Sequence, residues 1–127
     1  TKLKSYIDYG TFQPIQIAST VALNELDRYP FELSVVYKER RELVVEHLKE
    51  LDFIIQESDA TMFVWAKLPE RFNKDSLKFS LDILDKSNVA VSPGVGFGKF
   101  GEGYIRIALV ENKQRIRQAM KNIKAAL

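Results

Sequence analysis

The chain has 127 residues, of which 46% are hydrophobic and 28% are charged, and its formal net charge is +2. This composition is typical of one globular domain, and the small net charge argues against a surface dedicated to phosphate contacts. Because there is no cysteine and only one histidine, His47, the sequence excludes disulfides, thiolate chemistry and multi-histidine metal sites. We therefore expect no metal, no nucleic-acid or membrane partner, and a cytoplasmic location.

The first part of the chain divides by pattern into two segments. Residues 1–14 are interpreted as an entry and interface segment. Within it, residues 5–14 mix aromatic residues with a glycine and a proline, and their lack of a period predicts an extended conformation. Residues 15–51 have apolar residues at helical spacing and predict two helices, the first stopping before Pro30 and the second covering about residues 31–51. One stripe of the second helix includes an arginine among apolar residues. It consists of Leu33, Val36, Arg40, Val44, Leu48 and Leu51.

The remainder, residues 52–127, predicts an α+β domain with a small helix-covered sheet. Alternation at residues 53–55 and 62–66 predicts two strands, and Phe63 and Trp65, on one face of the second strand, are assigned to the core. The elements expected next are a helix over 76–87 with Leu77, Leu81 and Leu84, strands over 89–91 and 104–109, and a final helix capped by Asn112.

All but one of the six glycines lie in GVGFGKFGEG, residues 94–103. Gly96, Gly98 and Gly101 fit the dinucleotide-binding pattern G-x-G-x-x-G, which requires a helix to open at the last glycine. Here an alternating strand follows instead, so we expect a sharp loop and no phosphate site. An alternative of another class stays open: a small α+β RNA-binding or regulatory module without catalytic activity, in which Tyr104 would stack on a base.

Arg106 is the candidate binding residue. In the strand YIRIAL, Ile105, Ile107 and Leu109 point to one face and Arg106 to the other, bracketed by Tyr104 and Ala108. The pattern allows two interpretations. Arg106 is either an ordinary surface arginine or a partly buried guanidinium that offers its planar fork to a carboxylate.

Three stretches carry a resemblance to a known family: VAVSPGVGFGKFGEGYIRIALVEN, SYIDYGTFQPIQIAS and ATMFVWAKLP. They resemble class I/II aminotransferases, the fold type I enzymes that use pyridoxal 5′-phosphate, and are most like the alanine and diaminopimelate/aspartate branch. The resemblance implies the C-terminal small domain of such an enzyme, which moves an amino group between an amino acid and a 2-oxo acid. It also implies that Arg106 binds the substrate α-carboxylate and that the glycine loop shapes the substrate entrance.

The resemblance implies a homodimer as well, in which Tyr9, Thr11 and Phe12 line the partner subunit's site. Residues 15–51 would link the small domain to a larger cofactor-binding domain of the same chain. The family's Schiff-base lysine and pyridinium-binding acid precede the matched stretches, so no catalytic residue is assigned here. We expect a fragment of a larger enzyme that is inactive by itself.

Overall fold

The computed structural model describes residues 2–7, 10–56, 58–72 and 74–127. The chain forms two compact units, Thr1–Val35 and Val36–Leu127. Among the described residues, every helix is too short or too polar to cross a membrane.

The first unit is helical. It contains α1 (Lys2–Ile7), α2 (Gln13–Glu25) and the beginning of α3 (Tyr29–Glu50). The extended conformation predicted for residues 5–14 is therefore wrong at residues 5–7, which belong to α1, and at residues 13–14, which belong to α2. Pro30 lies in the first turn of α3. Proline has no N–H to donate, and this costs nothing here because an N–H in the first turn has no acceptor within the helix.

The apolar side chains of α2 are not buried. Ile15, Leu23 and Leu26 are each at least 46% exposed. The sequence pattern correctly predicted a helix here, but its apolar residues are not buried among the described residues.

The second unit is a four-stranded antiparallel sheet with helices. After α3 come β1 (Ile54–Ile55), β2 (Phe63–Lys67), α4 (Ser76–Ser87), β3 (Ser92–Pro93), β4 (Tyr104–Ala108) and α5 (Lys113–Ala126). The strand order is β1-β2-β4-β3, so the later strands β3 and β4 complete a sheet begun by β1 and β2. The predicted α+β class is confirmed, as are the bounds of α4 and the capping of α5, where Asn112 accepts a hydrogen bond from the Arg115 N–H (2.9 Å).

One face of the sheet packs against the helices to form the core. Buried residues come from α3, β2, α4, β4 and α5, and include Leu48, Val64, Ile83, Ile105 and Met120. Arg40, the charged residue in the α3 stripe, is half-buried and donates from Nη1 to the Leu109 carbonyl (2.9 Å), which explains its place among apolar residues.

Three details of the sheet and helix predictions are wrong. The strand expected at residues 89–91 lies instead at Ser92–Pro93, which pairs with β4. Val64 and Ala66 form the buried face of β2, so Phe63 and Trp65 lie on the opposite face and outside the core. On α4 the leucine stripe is exposed, because the buried side is made of Phe79 and Ile83 together with three serines, Ser76, Ser80 and Ser87.

Candidate carboxylate-binding site

Arg106 lies in the middle of β4, an inner strand of the sheet. Its neighbours across the strands are Trp65 on β2 and Ser92 on β3. Ile105 and Ile107 are only 2% and 8% exposed, whereas Arg106 is half-buried on the other face. The predicted alternation is confirmed, and the paired strands hold the arginine backbone on both sides.

Two aromatic rings pack against the guanidinium of Arg106. Its Cζ lies 4.1 Å from the centroid of the Phe63 ring and 4.3 Å from that of Phe97. These contacts attract the positive charge without using any of the five N–H donors. Within the described part of the chain, the Arg106 guanidinium makes no hydrogen bond or ion pair. The donors are therefore available to an external acceptor.

Further rings extend this aromatic surface. Trp65 stacks on Tyr104 with a centroid distance of 5.5 Å, and meets Phe97 edge to face at 5.7 Å. Apolar rings around a cation reduce its access to water, and an ion pair formed there is stronger than one in bulk solvent. The surroundings of Arg106 thus favour a charged, planar partner such as a carboxylate.

A cavity of about 490 Å³ adjoins Arg106. Its walls come from the C-terminal half of α3, the β1–β2 connection and the outer face of β2, and include Arg41, Gln56, Phe63 and Trp65. This volume suits a small organic molecule. Arg41 is held in place because its Nη1 donates to the Ser58 carbonyl.

The glycine loop, residues 94–103, forms two 3₁₀ turns, Gly94–Phe97 and Lys99–Gly101, and then enters β4. Its amides at Val95, Gly98, Gly101 and Gly103 all donate within the protein. A phosphate cradle needs such amides to be free and a helix to follow. The predicted sharp loop is confirmed, and the strand β4 follows it where the dinucleotide-binding pattern requires a helix.

The loop is fastened to the start of α4. The Ser76 N–H donates to Oε1 of Glu102 (2.7 Å), and the Gly103 N–H donates to the same oxygen (3.1 Å). The Val95 N–H donates to the Ser76 hydroxyl (3.2 Å), and Ser76 is fully buried. The bonds from the Ser76 and Gly103 amides lower the pKa of Glu102 below its ordinary value, because they stabilise the charged carboxylate.

Three further candidate site residues, Tyr9, Thr11 and Phe12, come from the N-terminal part of the chain. Thr11 and Phe12 are exposed residues of the first unit, and Tyr9 lies outside the described residues. His47 is half-buried, and its Nδ1 lies 2.9 Å from the Leu43 carbonyl oxygen. Among the residues that the structure describes, no three His, Asp or Glu side chains form a group that could hold a metal ion.

Sequence reasoning missed the residues that surround Arg106. Phe63 was assigned to the core, and neither Phe97 nor Glu102 was connected with Arg106. The period of β2 shows that Phe63 and Trp65 share a face, but the buried face is defined only by pairing with β4. Glu102 and Ser76 are 26 positions apart, and no local pattern connects them.

Comparison with known proteins gives the family. Residues 13–123 match the family model "Aminotransferase class I and II". The chain is 46% identical to an LL-diaminopimelate aminotransferase of Natranaerobius thermophilus. The match covers 96% of this chain and 31% of that protein. It is 43% identical to the glutamate-pyruvate aminotransferase AlaC of Escherichia coli over 98% of its length, which is 30% of AlaC. The solved structure of substrate-bound BacF from Bacillus subtilis superposes with a TM-score of 0.88 at 29% identity, covering 98% of this chain and 32% of BacF.

The chain belongs to the class I and II aminotransferase family. It spans about a third of the length of the curated relatives it matches, and corresponds to their C-terminal part. Membership in an enzyme family argues against the alternative of a non-catalytic RNA-binding module.

Proposed function

We propose that the full-length protein containing this chain is a pyridoxal 5′-phosphate-dependent aminotransferase that moves an amino group between an α-amino acid and a 2-oxo acid. We propose further that Arg106 binds the α-carboxylate that both substrates share. The observation that carries the proposal is the state of Arg106: half-buried, packed on Phe63 and Phe97, and without a hydrogen-bond acceptor or acid among the described residues.

Binding by Arg106 would orient the substrate as well as hold it. The planar guanidinium can donate two parallel hydrogen bonds to a carboxylate, which fixes the rotation of the carboxylate plane. The substrate Cα is attached directly to that carboxylate, so its C–H bond then has a defined direction. Orientation of this kind increases the reaction rate because the bound substrate is already held in the one productive geometry.

The relatives support the substrate class. One is named a glutamate-pyruvate aminotransferase and another an LL-diaminopimelate aminotransferase. Glutamate, pyruvate and diaminopimelate all carry a carboxylate next to the reacting carbon. We therefore propose α-amino acids and 2-oxo acids as substrates.

The cofactor has a phosphate and a pyridinium ring, and the described loop does not fit its phosphate because four of the loop amides are already bonded. We expect the groups that hold pyridoxal 5′-phosphate to come from the larger domain. When bound, the cofactor supplies the electron sink that makes loss of the Cα proton possible. The contribution proposed for this chain is recognition and orientation of the substrate.

The proposal is tested by Arg106→Lys in the full-length protein. Lysine keeps the charge but loses the fork, and a lost charge-assisted hydrogen bond costs about 1.5–3 kcal/mol. We expect kcat/KM for alanine and for 2-oxoglutarate, used as test substrates, to fall by roughly ten- to over a hundredfold. Turnover of ethylamine, which lacks the carboxylate of alanine, should change little.

Arg117→Lys is the matched control, because Arg117 is an exposed arginine of α5 with no bonded partner among the described residues. It should behave like the unaltered enzyme. Normal turnover of carboxylate substrates by the Arg106→Lys enzyme would show that the assignment of Arg106 is wrong.

We also propose that the protein is a homodimer in which Tyr9, Thr11 and Phe12 line the partner subunit's site. The exposure of Phe12, 69% in this chain, supports a surface that another subunit covers. The family resemblance of the stretch YGTFQP supports the same location. The apolar Phe12 favours a substrate with a small or apolar side chain.

Mixed dimers test the arrangement in trans. A subunit with Phe12→Asp is combined with a subunit carrying Arg106→Ala, each inactive or weak as a homodimer. If Phe12 serves the partner's site, one site of each mixed dimer contains both native residues, and up to half of the native activity returns. If Phe12 serves its own subunit's site, both sites stay defective and mixing recovers nothing.

A further inference from the structure

The hydrogen bonds of Glu102 join two elements that are distant in the sequence. One carboxylate oxygen accepts from the Ser76 amide at the start of α4 and from the Gly103 amide at the end of the glycine loop. The Ser76 hydroxyl in turn accepts a hydrogen bond from the Val95 N–H at the beginning of the loop. Both ends of the loop are thus bonded to the same buried turn of α4.

The loop between these bonds carries Phe97. Its first turn ends at Phe97, whose ring contacts the Arg106 guanidinium at 4.3 Å and the Trp65 ring at 5.7 Å. Phe97 itself is 52% exposed, so packing from the protein side covers only about half of it. The location of the ring therefore depends on the backbone of the loop, and the loop backbone depends on its bonds to Ser76 and Glu102.

Among the described residues, no other charged side chain makes a hydrogen bond between the glycine loop and α4. Asp75, the N-cap of α4, accepts from the Lys78 amide (2.8 Å), and no hydrogen bond to the glycine loop is present for it in the described residues. Lys99, within the loop, lies over the Phe100 ring at 5.0 Å, and no hydrogen bond from its side chain to α4 is present in the described residues. Glu102 is consequently the charged side chain that ties the loop to α4 within the part of the chain described.

We propose that Glu102 is a positioning residue of the carboxylate site, which holds the glycine loop on Ser76 so that Phe97 packs against Arg106. This inference rests on the proposed function of Arg106 and adds a residue that never touches the substrate. Because Glu102 acts on the binding of the carboxylate, its loss should raise KM for carboxylate substrates and change kcat much less.

Three variants of the full-length enzyme test the proposal. Glu102→Ala removes the acceptor, Glu102→Gln keeps an oxygen that accepts from both amides, and Glu70→Gln is a control at an exposed glutamate with no bonded partner among the described residues. For each, KM and kcat are measured with alanine, and amide hydrogen exchange is followed by mass spectrometry in peptides that cover residues 76 and 94–103.

We expect Glu102→Ala to speed exchange in both peptides and to raise KM for alanine by roughly two- to thirtyfold, the range set by loss of the ring–cation contact. Glu102→Gln should restore most of both properties, and Glu70→Gln should match the unaltered enzyme. Faster exchange with an unchanged KM would overturn the proposal, since the loop would then be free without any effect on Arg106. Unchanged exchange would overturn it too.

The Arg106→Lys enzyme separates this inference from the proposed function. If Arg106→Lys impairs carboxylate substrates and Glu102→Ala does not, the function of Arg106 stands and only the role of Glu102 is refuted. If Arg106→Lys has no effect, the proposed function itself fails, and the positioning role fails with it.

Discussion

Gly94 and Gly101 meet backbone to backbone, so closely that a Cβ added to either glycine would lie 2.0 Å from the carbonyl oxygen of the other. The contact brings the two 3₁₀ turns of the glycine loop together. Neither backbone can retreat without moving the loop, because a hydrogen bond from Val95 to the Ser76 hydroxyl and one from the Ser76 amide to Glu102 hold its ends.

The Gly101→Ala substitution should therefore disrupt the loop. We expect a loss of stability of about 1–3 kcal/mol, the usual cost of overpacking, together with a raised KM for carboxylate substrates. The measurements are the unfolding temperature by calorimetry and steady-state kinetics of the full-length enzyme. Gly96→Ala is the matched control, since a Cβ there meets nothing within 4 Å. Equal effects at the two positions would contradict the steric argument.

Phe97→Leu should weaken carboxylate binding. Leucine retains apolar bulk but removes the ring that lies 4.3 Å from the Arg106 Cζ. A cation–π contact contributes about 0.5–2 kcal/mol, so KM for alanine should rise by roughly two- to thirtyfold. Phe100→Leu serves as the control, because that ring is 87% exposed and its cation contact in the described residues is with Lys99, not with Arg106. A similar rise in both variants would refute a specific role for Phe97.

The charge of Glu102 should make stability depend on pH. Its pKa is lowered in the folded protein by the bonds from Ser76 and Gly103, so the folded state binds the proton less readily than the unfolded state does. The stabilisation is fully present above the unfolded pKa and is lost as the pH falls through the lower folded pKa. We expect the unfolding temperature of the native enzyme to exceed that of Glu102→Gln at neutral pH, and the gap to shrink below about pH 4.5.

The same titration of Glu70→Gln provides the reference for that gap. The difference in unfolding temperature between the native enzyme and Glu70→Gln should show no comparable decrease as the pH falls. A Glu102→Gln difference that grows on acidification would show that the sign of the pKa shift is wrong.

Arg40→Met should destabilise the protein without altering substrate recognition. The substitution removes the donor to the Leu109 carbonyl, which follows β4 directly, while keeping an apolar stem in the α3 stripe. We expect a loss of about 1–2 kcal/mol, seen as a lower unfolding temperature with an unchanged KM. Lys38→Met, at an exposed position of the same helix, should have little effect on either quantity.

Local patterns predicted the elements whose signals lie within a few residues. The cap of α5 by Asn112 and the bounds of α4 at Ser76 and Ser87 follow from adjacent residues, and both are confirmed. The outward direction of Arg106 was also predictable, because apolar residues alternate along β4 with a period of two. These features depend on the chain's own geometry and need no knowledge of neighbours.

The remaining errors concern which surfaces meet. α4 has apolar residues on two sides, and the buried one is decided by the small serines that allow the helix to lie close to its neighbours. For β2, both faces carry apolar side chains, so the pattern alone could not show that Phe63 faces Arg106. The pairing of Glu102 with Ser76 needs the folded path of the chain.

The register of β4 fixes at once the face on which Arg106 lies and the opposite face on which the core residues lie. Arg106 pairs with Trp65 and Ser92 while Ile105 and Ile107 fill the core beneath them. Inserting or deleting one residue between Ile105 and Ile107 would put the residues on the two sides of the change out of step with the pleat, so the arginine and both isoleucines could not keep their faces. Length changes within this strand are therefore tolerated only in pairs.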